Sequence, residues 1–205
     1  MLRLIQSHLE AIYRIEAPDV TDFQIDADQL ATVMGEGLRS ADEWVLVREQ
    51  EDGLDLAVFV SDDHLSALAA AGDLQAAARD AFPAFCAATE GVSHFLMLIE
   101  RMRRAEPVSL LELEVQAEVD KFVSARLHLP HRSDVLWRQL FEDAELAQGL
   151  DDAELARYQE AGRLAGSFCA SLDAAPHVDG LLRILRGFWR DSGAKRLDTM
   201  RRLAA

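Results

Sequence analysis

Residues 90–122, EGVSHFLMLIERMRRAEPVSLLELEVQAEVDKF, constrain this chain more than any other stretch. They combine the densest apolar content of the sequence with an unusual set of ionisable residues. The first half reads as one helix. At about 100° per residue, Val92, Phe95, Leu96, Leu98, Ile99 and Met102 share a broad apolar face. Glu90, His94, Met97 and Arg101 form a narrow stripe on the other side. The second half is ambiguous, because residues 111–120 alternate apolar and polar, which is the signature of a strand. A strand would send the acids to water. The residue types favour a helix instead. Leu, Glu, Gln and Ala are strong helix formers, Ser109 is placed to cap, and no turn residue interrupts before His128.

We therefore expect helices over 82–104 and 109–126, joined by a short loop with Pro107 and packed as antiparallel neighbours. On the second helix Glu112, Gln116 and Asp120 share a polar face. Glu114, Glu118 and Lys121 fall inside the apolar arc of Leu110, Leu111, Val115, Ala117 and Phe122. Charges are rarely left in such a place unless paired. Counting outward from the loop sets Arg101 level with Glu112 or Glu114, His94 level with Glu118, and Glu90 near Lys121. Each rung is charge-complementary. The constellation Glu90, His94, Arg101, Glu114, Glu118 and Lys121 thus reads first as an interhelical ladder that fixes register. The second reading makes it a metal or acid–base site around Glu90, with His94, Glu114 and Glu118 as weak metal candidates, because bundle sites converge in this way. Against it stand a single histidine and a Glu-x-x-x-His spacing where such sites carry Glu-x-x-His.

The remaining chain surrounds this pair with helical patterns and one β signal. An amphipathic helix covers 2–15, with Leu2, Ile5, Leu9 and Ile12 on one face. Phe23-Gln24-Ile25 reads as a short strand, before Asp28 caps a helix closed by Gly35 and Gly37. Residues 43–48 and 54–60 flank Glu51-Asp52-Gly53 and predict a β-hairpin over 43–60. An isolated hairpin is marginal, so a third strand is expected from 23–26, from another copy of the chain, or from a partner. Helices follow from Ser61 to Gly72, from Asp73 to Arg79, and then the 82–104 helix capped by Asp80. Gly91 inside that helix marks a close helix crossing. Beyond a linker at 127–132, helices start at Ser133 and Asp151, and Ala175-Pro176 ends the second. Gly162 and Gly166 would admit a close neighbour. A last helix carries Leu181, Leu182, Ile184, Leu185, Phe188 and Trp189 among arginines. The fold class is α+β and predominantly helical: an N-terminal α+β region over 1–79, then a helical bundle over 80–205 that can share one core with it.

Half of the residues are apolar, enough for a real core. The formal net charge of −15 disfavours general nucleic-acid binding. From His177 onward seven cationic residues face three aspartates, so this tail is basic by four. It can dock on the acidic body or on a separate acidic partner. Lysine occurs only at Lys121 and Lys195, an arginine bias typical of GC-rich bacterial genomes. The N-terminus does not read as a signal peptide, and no membrane span is expected. Cys86 and Cys169 sit in apolar helical patterns and read as reduced thiols rather than nucleophiles. His128 and His131 read as solvent-facing loop residues. No motif for a phosphate loop, a dinucleotide, a zinc protease or a serine hydrolase is present, so no cofactor is expected and the reading leans away from an enzyme. The expectation is a non-enzymatic bacterial cytoplasmic interaction protein, an adaptor, inhibitor or regulatory subunit, with a protein partner or self-association. The alternative is a metal-binding protein or metal-dependent enzyme with its site between helices 82–104 and 109–126.

Overall fold

The computed structural model describes residues 1–35, 42–50, 53–144, 149–172 and 177–205. Gly37, the Glu51-Asp52 hairpin tip and Ala175-Pro176, which carried sequence expectations, lie outside these residues. Helix α1 (Leu2–Tyr13) buries Leu2, Ile5, Leu9 and Ile12 and ends on a left-handed Arg14. The stretch expected to be a strand at 23–25 is mostly turned. Asp19 accepts from the Thr21 N–H and starts a 3-10 turn over Val20–Phe23. What remains is one parallel bridge from Gln24 to Val58, with the Ile25 N–H donating to the Val58 carbonyl at 2.9 Å. Helix α2 (Ala27–Met34) follows at once, leaving no length for a strand. Its cap is Asp26 rather than Asp28, reciprocated by Gln29.

The hairpin consists of β1 (Glu43–Gln50) and β2 (Gly53–Val60), antiparallel, with Trp44 opposite Phe59 and Val45 opposite Val58. Gly53 pairs with Gln50 in the ladder and so lies outside the two-residue tip. Helix α3 (Asp62–Ala71) is capped by Ser61, and α4 (Leu74–Asp80) by Asp73. Asp80 ends α4 and pairs with Arg79 instead of capping the next helix. That helix, α5 (Phe82–Arg103), follows Ala81 with Pro83 in its first turn.

By length and composition alone α5 would be long and apolar enough to cross a membrane, with a window of mean hydropathy 1.4. Here 78% of that window is buried inside the protein. Helix α6 (Leu110–His128) opens on a capping box between Ser109 and Glu112, and is a helix, not a strand, throughout. It runs beside α5 and also packs on α8. After a 3-10 turn at Pro130–Arg132 come α7 (Ser133–Phe141), α8 (Asp152–Ser171), α9 (Val178–Arg190) and α10 (Gly193–Leu203). Gly166 of α8 takes the close approach expected of it, with the Phe141 ring 3.2 Å from where a Cβ would lie, while Gly162 faces open space.

One contiguous apolar cluster runs from Leu2 to Met200 and includes residues on both sides of position 80. The basic tail docks on its own body. Trp189 stacks on Tyr13 at 4.3 Å, and Arg186 donates to the Ile12 and Ala11 carbonyls, which the end of α1 leaves unpaired. Beneath it lies a buried polar knot. The Tyr13 hydroxyl donates to Asp120, Ser93 Oγ donates to the other Asp120 oxygen at 2.6 Å, and Gln116 Nε2 donates to Asp120 at 2.9 Å. Arg196 of α10, 2% exposed, donates to Gln116 and lies 4.6 Å over the Phe188 ring. Four helices are pinned here by hydrogen bonds among groups that are costly to bury unpaired.

Candidate functional site

The polar residues of α5 and α6 collect into two sets separated along the helices. At the loop end Arg101, 3% exposed, pairs with Glu106 and lies 3.7 Å from Glu112. Its guanidinium also reaches the Asp191 carbonyl at 3.4 Å, so this rung ties the α5–α6 loop to the end of α9. At the other end Lys121 Nζ donates to Glu90 at 3.0 Å and to Glu118 at 2.6 Å. The middle rung differs from the sequence count. His94 Nε2 lies 3.8 Å from Glu114, one helical turn from Glu118. Glu118 is held by Lys121 on its own helix. The six residues of the constellation are therefore brought to one interface, but His94 and Glu118 do not form a rung.

Two further elements complete the site. Glu43, the first residue of β1, points its carboxylate at α5. Gly91 makes room for it, since a Cβ there would lie 3.2 Å from Glu43 Oε2 and 3.5 Å from Val58. The glycine thus admits the hairpin rather than the crossing helix expected from the sequence. From α8, Arg157 Nε lies 3.5 Å from Glu114, and Tyr158 is near enough for Glu114, Glu90 and Glu43 to raise its pKa after burial has done so. Sequence reasoning missed Glu43, Arg157 and Tyr158. The Glu43 carboxylate begins a strand whose alternation places it on the same face as Val45, and that parity was the one available signal.

Glu43, Glu90 and His94 each offer one ligand atom, and these atoms lie within 4.8 Å of one another. Two of the atoms here are buried without a hydrogen bond, Glu43 Oε2 and His94 Nε2. Burial pushes the Glu43 carboxyl well up, helped by Glu90 and Glu114. Burial also lifts Glu114 to about 7, with Glu90 adding to the rise and Arg157 opposing it. Glu118 is raised by burial despite Lys121. At Glu90 burial acts upward as well, but Lys121 and His94 outweigh it and hold this carboxyl below its usual range. The His94 imidazole is lowered by burial against the pull of Glu90, which keeps it neutral and free to act as a ligand. Cys86 lies close by, and burial pushes its thiol up to about 12, so it offers no thiolate. Two surface depressions lie elsewhere, one lined by Thr21, Gln24 and Asp62 and one by Pro130, His131 and Asp134.

No family model, no curated protein and no solved structure matches this chain.

Proposed function

We propose that this is a non-enzymatic bacterial cytoplasmic protein that acts through protein–protein contacts, as an adaptor, inhibitor or regulatory subunit. The outer edge of β1 is its contact strand. The observation that carries this reading is the sheet itself. Among the described residues β1 pairs with β2 alone, whereas the far edge of β2 is met by Gln24 and Ile25. An open edge offers a row of N–H and C=O groups to a further strand. The polar cluster supports the reading, because Glu43 seats the start of β1 against α5 and so presents a fixed edge. The net charge of −15 favours a partner with a basic surface.

The test is native mass spectrometry with light scattering on the wild type, Leu46→Pro and Val47→Pro. Consecutive strand residues direct their N–H groups to opposite edges, so one proline strips the outer edge and the other disturbs the hairpin. A dimer or complex lost in the outer-edge variant, with its helical circular dichroism intact, is the expected result. A chain that stays monomeric and partner-free, or an assembly indifferent to both prolines, sinks the reading.

A further inference from the structure

We propose that Glu43, Glu90 and His94 bind one divalent transition-metal ion, with Glu114 as a fourth donor from α6. The donors come from three elements, β1, α5 and α6, so the ion would fasten the hairpin to the central helix pair. Four observations carry this. First, the three donor atoms already lie within 4.8 Å of one another, and His94 Nε2 lies 3.8 Å from Glu114. Bonds of about 2.1 Å in a tetrahedron put donors roughly 3.4 Å apart, so side-chain shifts of about 1 Å close the site.

Second, His94 is 8% exposed and its Nε2 makes no hydrogen bond, and Glu43 Oε2 is equally buried and unpaired. Buried groups of this kind normally have partners, and both belong to residues whose donor atoms cluster within 4.8 Å. Third, the carboxylates outnumber the cations around the site. Glu43, Glu90, Glu114 and Glu118 face Lys121 and Arg157, which leaves two negative charges when all four acids are ionised. One divalent ion cancels them. Fourth, Lys121 donates to one Glu90 oxygen at 3.0 Å, so that donor is already oriented by an outer partner, as ligands in metal sites are, and Arg157 Nε lies 3.5 Å from Glu114. Imidazole with carboxylates suits zinc, manganese or iron(II) more than calcium or magnesium.

The experiment is calorimetric titration of chelator-treated full chain with zinc and with manganese chloride, on the wild type, Glu43→Gln, His94→Gln and the surface control His131→Ala. One ion per chain is expected. Either cluster substitution should weaken binding by more than about 100-fold, since even outer partners of metal ligands are worth 10–100-fold. The control should bind as the wild type does. Should a cluster variant fail to fold, the wild type answers alone: in a long-range proton–nitrogen correlation, zinc should shift Nε2 of His94. No uptake by the wild type overturns the proposal. So does undiminished binding in folded Glu43→Gln and His94→Gln, or a zinc shift confined to the other histidines.

Discussion

Asp120 shows how single residues decide the interior of this protein. Burial lifts its carboxyl to about 6, although Ser93, Tyr13 and Gln116 all donate to it. Removing one donor leaves a buried acceptor under-satisfied, so Tyr13→Phe should cost about 1–3 kcal/mol in urea unfolding. Gly193 is a second such point. A Cβ there would run into the Glu112 carboxylate, which is itself held by Ser109 in the capping box. Gly193→Ala should therefore lower the thermal midpoint, and adding Glu112→Ala should recover part of the loss relative to Glu112→Ala alone. Titration at Glu114 has a defined sign. Its folded pKa of about 7 stands above the ordinary 4.5, so the native state holds a proton that the unfolded chain has released. That contribution is full below pH 4.5 and is lost as pH rises through 7. In buffer with chelator, Glu114→Gln should raise the thermal midpoint relative to wild type at pH 7–8, with the difference vanishing near pH 4.5. His8 works in the opposite direction. Burial, with His128 beside it, lowers its pKa from 6.5 to about 4. Its contribution is full above pH 6.5 and is lost as pH falls through 4.

Among the elements, α6 explains its own misleading alternation. Residues 111–120 alternate apolar and polar, yet the helix is surrounded by α1, α4, α5, α7 and α8, so nearly every direction is interior. The apolar residues pack and the polar ones find partners on opposite flanks. Gln116 and Asp120 face the Tyr13 knot, and Glu114, Glu118 and Lys121 face the Glu90–His94 side. A helix buried all round has no single polar face, so periodicity fails to report it. Glycines separate the same way by surroundings. Gly187 in α9 and Gly162 in α8 face open space. Alanine at either should stabilise the protein by about 0.5–1 kcal/mol, through helix propensity alone. Gly91→Ala, 3.2 Å from Glu43 Oε2, should instead displace the hairpin and lower the midpoint of thermal unfolding.

For the whole molecule the decisive fact is that one apolar cluster joins α1 to α10. Arg196 near the C-terminus donates to Gln116 in the centre, and Trp189 stacks on Tyr13 near the N-terminus. Differential scanning calorimetry should accordingly show one cooperative transition. Two resolved transitions, one from the residues before 80 and one from the residues after, would contradict a shared core. The charge asymmetry of the chain is also absorbed internally. Arg186 caps α1, Lys195 pairs with Asp191 at 2.6 Å, and Arg196 is buried, so the tail spends much of its charge at home.

The sequence by itself determined the local features. Ser109, Asp73 and Asp151 cap their helices, hairpin residues 43–50 and 53–60 pair, and the apolar face of α1 and most of that of α9 are buried, because caps, turns and periodicity act within a few residues of chain. It also placed charge-complementary residues on facing helices, since a short loop fixes the direction of the pair. Only the tertiary structure decided which of them met. The shift of His94 from Glu118 to Glu114 depends on how the helices slide, a matter of side-chain packing along their length. Glu43, Arg157 and Tyr158 join the cluster from elements far away in sequence. No local rule names such partners, because contacts across distant elements are set by how the whole core closes.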